Sequence, residues 1–129
     1  MTLDNFEKLK TRADSEFDCP QMKISWGKIK FNTVACKKLR DKGFDRYDVY
    51  INADERLVAM VGTKTEKTGR KLTSGGCVVN RDMRPYFPML QKIKHGYELY
   101  PEVMTTDYKE DKDKLIFEIP KDKLDELEG

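Results

Sequence analysis

Two short segments of the chain lie over one another at a constant offset: Gly27-Lys28-Ile29-Lys30-Phe31-Asn32 and Gly75-Gly76-Cys77-Val78-Val79-Asn80. In the first, apolar Ile29 and Phe31 alternate with Lys28 and Lys30, and in the second apolar Cys77 and Val79 stand at the matching positions. A period of two is the mark of a half-buried strand, because successive side chains leave a strand on opposite faces. Each segment ends in Asn, a residue suited to capping a helix. A chain that does this twice is constrained to repeat one small supersecondary unit.

The first unit, residues 22–62, reads in order as strand, helix and hairpin. Met22, Ile24 and Trp26 alternate with Lys23 and Ser25, and the alternation resumes past Gly27, which predicts one strand with a bulge or bend there. The alternation places Trp26 with the core residues. Asn32 or Thr33 caps a helix through Val34, Ala35, Cys36 and Leu39, and Gly43 ends it. Tyr47–Ile51 and Leu57–Val61, separated by the polar stretch Asn52–Arg56, form a hairpin. The polar, Gly- and Thr-rich stretch from Thr63 to Gly76 is a loop. The second unit, residues 75–119, runs from the Cys77 strand into a helix over Arg81–Lys94, with Met83, Phe87, Leu90 and Ile93 at helical spacing. Pro85 and Pro88 require a kink or a late start there. His95 before Gly96 places a favourable charge at that helix's C-terminus. Strands at Tyr100–Tyr108 and Leu115–Ile119 flank the turn Lys109–Asp113.

Short helices at the two ends complete the reading. Leu3, Phe6 and Leu9 form a narrow apolar stripe, and Lys121–Glu128, following Pro120, is a short acidic helix or a frayed tail. The expected fold class is α+β: one domain over residues 1–129, with the two strand–helix–hairpin units forming a compact barrel-like or sheet structure. A length of 129 residues suits one core.

Charge narrows the function classes. Residues 20–94 carry 17 Lys/Arg against 7 Asp/Glu, whereas residues 95–129 carry 5 against 11. A basic middle beside an acidic end points to a polyanionic partner. Three widely spaced cysteines, Cys19, Cys36 and Cys77, argue for free thiols in a reducing compartment, with Cys36 and Cys77 as small buried hydrophobes. One histidine and no C-x-x-C leave no zinc set, and the acidic turn around Asp107, Glu110, Asp111 and Asp113 is interleaved with lysines and lacks calcium-loop spacing. No metal and no cofactor are expected. Phosphate-loop, dinucleotide, metalloprotease and nucleophile-elbow motifs are absent, so no enzyme is expected. The sequence has no apolar run long enough to span a bilayer and no signal-peptide pattern after Met1, so a cytoplasmic location without membrane association is expected.

The first unit, through Gly27, Ile29, Phe31, Leu39 and the hairpin 47–61, resembles the AbrB/SpoVT/MazE-like swapped-hairpin regulators. That resemblance implies interlocked units and DNA binding through basic residues. The sequence departs from the family's pattern at Asn32 and Asn80, where the family has Pro, and at Gly43-Phe44-Asp45, where it has Gly-Asp. The segment from Gly69 to Ile93, through Gly69, Arg70, Lys71, Val79, Asn80 and Leu90, looks like the corresponding part of PC4-like single-stranded DNA-binding domains. Both resemblances rest on one strand–cap–helix pattern and imply nucleic acid.

Nucleic-acid binding needs cations placed to meet phosphates. The candidates are Lys23, Lys28 and Lys30 on the first strand, Lys37, Lys38 and Arg40 on the helix, Arg70 and Lys71 in the loop, and Arg81 and Arg84 in the second unit. The expected function is a non-enzymatic nucleic-acid-binding domain, a transcriptional or phage regulator with DNA favoured over RNA, and a homodimer among its expected assemblies. The alternative is a phage or mobile-element inhibitor of a host nucleic-acid-processing protein, with the acidic segment 107–128 imitating nucleic acid.

Overall fold

A computed structural model describes residues 19–64, 69–73 and 75–128. The expected N-terminal helix with Leu3, Phe6 and Leu9 lies outside the described residues. The rest is α+β, rich in antiparallel strands. One four-stranded sheet has the order β6-β2-β1-β9, from β1 (Met22–Ser25), β2 (Lys28–Phe31), β6 (Cys77–Asn80) and β9 (Val103–Thr105). A five-stranded sheet has the order β10-β11-β4-β3-β5, from β3 (Arg46–Asn52), β4 (Leu57–Thr63), β5 (Arg70–Lys71), β10 (Tyr108–Glu110) and β11 (Lys114–Glu118). A separate ribbon pairs β7 (Lys92–Lys94) with β8 (Tyr97–Leu99). The helices are α1 (Thr33–Asp41) and α2 (Lys121–Glu128). Both larger sheets are open, ending in edge strands.

The stretch read as one bent strand is a hairpin. Ser25 pairs with Lys28, so Trp26 and Gly27 form a two-residue turn and Met22 returns opposite Phe31. The period of two is unaffected by such a turn, which is why alternation alone does not reveal it. The matched segments prove to be neighbours. Ile29 faces Val79 and Phe31 faces Cys77 across the antiparallel pair β2–β6. Likewise Leu57 to Val61 pairs with Lys114 to Glu118. Strands that share a ladder and a core face carry the same alternation, so the likeness records pairing as much as repetition.

The loop after β4 is not featureless. Arg70 and Lys71 form β5 against Tyr47 and Arg46, and Leu72 is buried. Asn32 caps α1: its Oδ1 accepts from Ala35 N–H at 2.9 Å and from Gln21 N–H at 3.0 Å, while its Nδ2 donates to Cys19 C=O at 3.0 Å. Ala35, Cys36 and Leu39 then face the core.

The second unit departs from the first. No α-helix forms over 81–94. Met83 C=O accepts from Tyr86 and Phe87 N–H in one turn, Pro88–Leu90 is a single 3-10 turn, and the chain leaves as β7. Pro85 and Pro88 account for this, since each lacks an N–H and its ring clashes with a preceding carbonyl in a helix interior. Even so, Met83, Phe87 and Leu90 are buried, joining Phe31, Tyr47, Met60, Leu115 and Phe117 in one core. His95 is not at a helix end. With Gly96 it makes the turn between β7 and β8, at φ 52° and 80°, the left-handed pair of a type I′ hairpin turn.

Candidate nucleic-acid interface

Two basic regions meet near the C-terminal end of β6. The first is the outer face of the four-stranded sheet. Lys23 lies directly opposite Lys30, and Lys28 is two residues along β2 on the same face. Ile24, Ile29 and Phe31 point the other way into the core, so the pleat forces these three lysines outward together. Lys28 and Lys30 are exposed; Lys23 is half-buried and lies 3.5 Å from Glu102. The exposed side chains Val78 and Met104 flank them in register. Neither Lys28 nor Lys30 has a carboxylate partner among the described residues, so both ammonium groups remain free to meet anions.

The second region is a cleft of about 540 Å³ between the two larger sheets. Ile29, Val79 and Met83 line it from one side, and Asp48, Val49, Tyr50 and Ile51 of β3 from the other. Arg70, Arg81 and Tyr86 complete it. β5 pairs only with Arg46 and Tyr47, which leaves the remainder of β3 without a partner on that edge among the described residues. Arg81 directly follows Asn80, which pairs with Lys28, so the cleft borders the lysine face. Tyr50 and Tyr86 are 62% and 41% exposed, which leaves phenol rings available for stacking. Among the described residues, no carboxylate lies within ion-pair distance of Arg70 or Arg81.

The other expected phosphate contacts fare differently. Lys37 and Arg40 are exposed on α1, but Lys38 lies 3.3 Å from Glu110 Oε2 and Lys42 lies 3.1 Å from Glu110 Oε1. These ammonium groups, Lys42 foremost, hold the Glu110 carboxyl below its ordinary range. Lys38 is thus engaged in joining α1 to β10. Lys71 is exposed on β5. Arg84 is committed elsewhere. Its Nε and Nη2 donate to Asp82 at 2.7–3.1 Å, its Nη1 donates to Gln91 at 2.9 Å, and its guanidinium covers the Trp26 ring at 5.1 Å. The Arg84 side chain, followed by its backbone N–H, pulls Asp82 down to about 2.

Trp26 is therefore half-buried rather than a central core residue. It sits in the β1–β2 turn between Arg84 and Tyr100, whose ring centroid is 4.8 Å away. Tyr100 in turn donates to Glu98. This cluster braces the base of the β7–β8 ribbon. Tyr50 and Tyr86 escaped the reading from sequence, because alternation separates inward from outward residues but does not say which two elements flank one space. Among the described residues no group of acidic, His or Cys side chains is arranged to hold a metal ion, and no helix is long and apolar enough to cross a membrane.

No family model matches the chain, and neither a curated protein nor a solved structure matches it.

Proposed function

We propose that this protein is a non-enzymatic nucleic-acid-binding domain that takes single-stranded nucleic acid, DNA in preference to RNA. Phosphates lie along Lys28 and Lys30, and an unpaired base enters the cleft at Arg70 and Arg81. The observation that carries this reading is the cleft itself: two arginines without carboxylate partners among the described residues and two exposed tyrosines surround one space, next to a face bearing three lysines. Single-stranded recognition combines cations that track phosphates with aromatic rings that accept base faces, and such stacking contributes about 1–3 kcal/mol per base. The resemblances to PC4-like domains and to swapped-hairpin regulators agree with a nucleic-acid partner.

Fluorescence polarisation with labelled single-stranded DNA, single-stranded RNA and duplex DNA tests the reading. Binding should weaken steeply with salt, by about 0.7 in log-log slope per phosphate neutralised on a single strand. Arg70→Ala with Arg81→Ala should weaken binding at least tenfold, Lys28→Ala with Lys30→Ala should reduce the salt slope, and Lys38→Ala should do neither. Absence of binding to all three ligands at low salt would end the proposal.

A second reading, an inhibitor contacting a host protein, draws support from the β7–β8 ribbon. It exposes Ile93 and Tyr97 at 74% and 73%, together with Leu99. Its version based on nucleic-acid mimicry has less behind it, because Glu110 is tied to two lysines and Asp113 lies beside Lys114. Ile93→Asp should leave nucleic-acid affinity unchanged under the first reading and abolish partner binding under the second.

A further inference from the structure

The nucleic-acid reading leaves two thiols unused. Cys36 lies in the first turns of α1 and Cys77 opens β6, and their sulfurs are 2.7 Å apart. The arrangement follows from connectivity. α1 begins two residues after β2 ends, and Cys77 pairs with Phe31 at the end of β2, so the start of the helix lies over the start of β6. Cys36 is fully buried and Cys77 is 3% exposed. The Cys36 thiol donates to Cys77, with the Thr73 N–H and the Tyr47 hydroxyl as further donors beside it, while the Thr73 hydroxyl donates to Gly76 C=O. Thr73, beside Cys77, is exposed.

We propose that Cys36 and Cys77 form a redox modification site, a buried dithiol that closes to an internal disulfide when the protein meets a hydroperoxide. The donors around Cys77, the Cys36 thiol first, stabilise its thiolate against the cost of burial and hold it below the ordinary thiol range, while Cys36 keeps its proton. The Cys77 thiolate attacks one peroxide oxygen, the O–O bond breaks, hydroxide leaves, and Cys77 becomes a sulfenic acid. The Cys36 sulfur then displaces that oxygen: an S–S bond forms, the Cys77 S–O bond breaks, and the Cys36 proton leaves with the oxygen as water. The two sulfurs together lose two electrons to the peroxide. The sulfurs need approach by only a fraction of an ångström to reach the bonded separation of about 2.05 Å. Cys19 takes no part.

The experiment treats the folded full-length chain with hydrogen peroxide, alkylates it in denaturant and maps the peptides by mass spectrometry. The expected product is a Cys36–Cys77 linked peptide, about 2 Da lighter than the two thiol peptides combined, with Cys19 alkylated and the link reversed by a dithiol. Alkylation of all three cysteines, linkage through Cys19, or over-oxidised Cys77 without a link would each overturn the proposal. The mapping uses the unaltered chain, so it does not depend on a variant folding. In Cys36→Ser, where it folds, peroxide should instead carry Cys77 to the sulfinic acid, a gain of about 32 Da. The rate of closure should change less than threefold between about pH 7 and pH 8.5; a rise above tenfold is the behaviour of an ordinary thiol and would remove the thiolate step.

Discussion

The segments after Asn32 and Asn80 begin alike in sequence and end differently in structure. After Asn32 the chain forms α1, with its cap, its buried stripe and its basic last turn. After Asn80 it forms a turn, one 3-10 turn and the exposed β7–β8 ribbon. Even the shared residues have different duties. Asn32 holds Cys19, Gln21 and Ala35 together, whereas Asn80 is an exposed strand residue. Gly27 and Gly75 have open space where a Cβ would stand, but at the unmatched Gly76 a Cβ would come within 2.9 Å of Phe31 C=O. Apolar alternation is common to the two halves; local backbone chemistry is not.

Substitutions at corresponding places should separate the halves. The largest contrast is between Leu39 in α1, fully buried, and Ile93 in β7, 74% exposed. Leu39→Ala should cost about 2–5 kcal/mol in urea unfolding, while Ile93→Ala should stay within about 0.5 kcal/mol. Equal costs would mean that the ribbon is packed in solution. Next come the glycines. Gly76→Ala must adopt φ +94° against a backbone oxygen and should lose about 1–3 kcal/mol; Gly75→Ala should be near neutral.

Asn32→Ala removes a helix cap along with two further hydrogen bonds, for an expected loss of about 1–2 kcal/mol. Asn80→Ala should change stability by less than about 0.5 kcal/mol. The smallest effect is electrostatic. Asp82 has a folded pKa of about 2, below its ordinary 3.8, so its contribution to stability is present above about pH 4 and is lost as pH falls towards 2. Protonation releases Arg84 from Asp82. Fluorescence of Trp26, the one tryptophan, should therefore shift between about pH 4 and 2 in the intact chain and shift less in Asp82→Asn.

Much of the fold was legible in the sequence. The positions of α1, the β3–β4 hairpin, β6, β11 and α2 follow from period, caps and turn residues. Of the apolar residues set at helical spacing over 81–94, Met83, Phe87 and Leu90 face inward while Ile93 is exposed, and the helix expected to present them does not form. Burial of a side chain and the path of the backbone that delivers it are separate questions, and two prolines decided the second against the first. The β1–β2 turn and the β7–β8 ribbon went unread, the former because a two-residue turn preserves alternation. The latter was missed because Ile93 continues a helical spacing that Pro88 had already ended.

The candidate site divides in the same way. Alternation by itself set Lys28 and Lys30 outward, because the pleat allows them no other face once Ile29 and Phe31 are buried. Which cations stay free was decided by tertiary structure, since an ion pair depends on the carboxylate that another element brings. Glu110 reaches Lys38 and Lys42 from β10, and Asp82 takes Arg84. The meeting of Arg70, Arg81, Tyr50 and Tyr86 at one cleft, and of Cys36 with Cys77 in the core, likewise depends on packing between elements distant in sequence. Local sequence sets which way a side chain faces; the order of strands across the sheets sets what it faces.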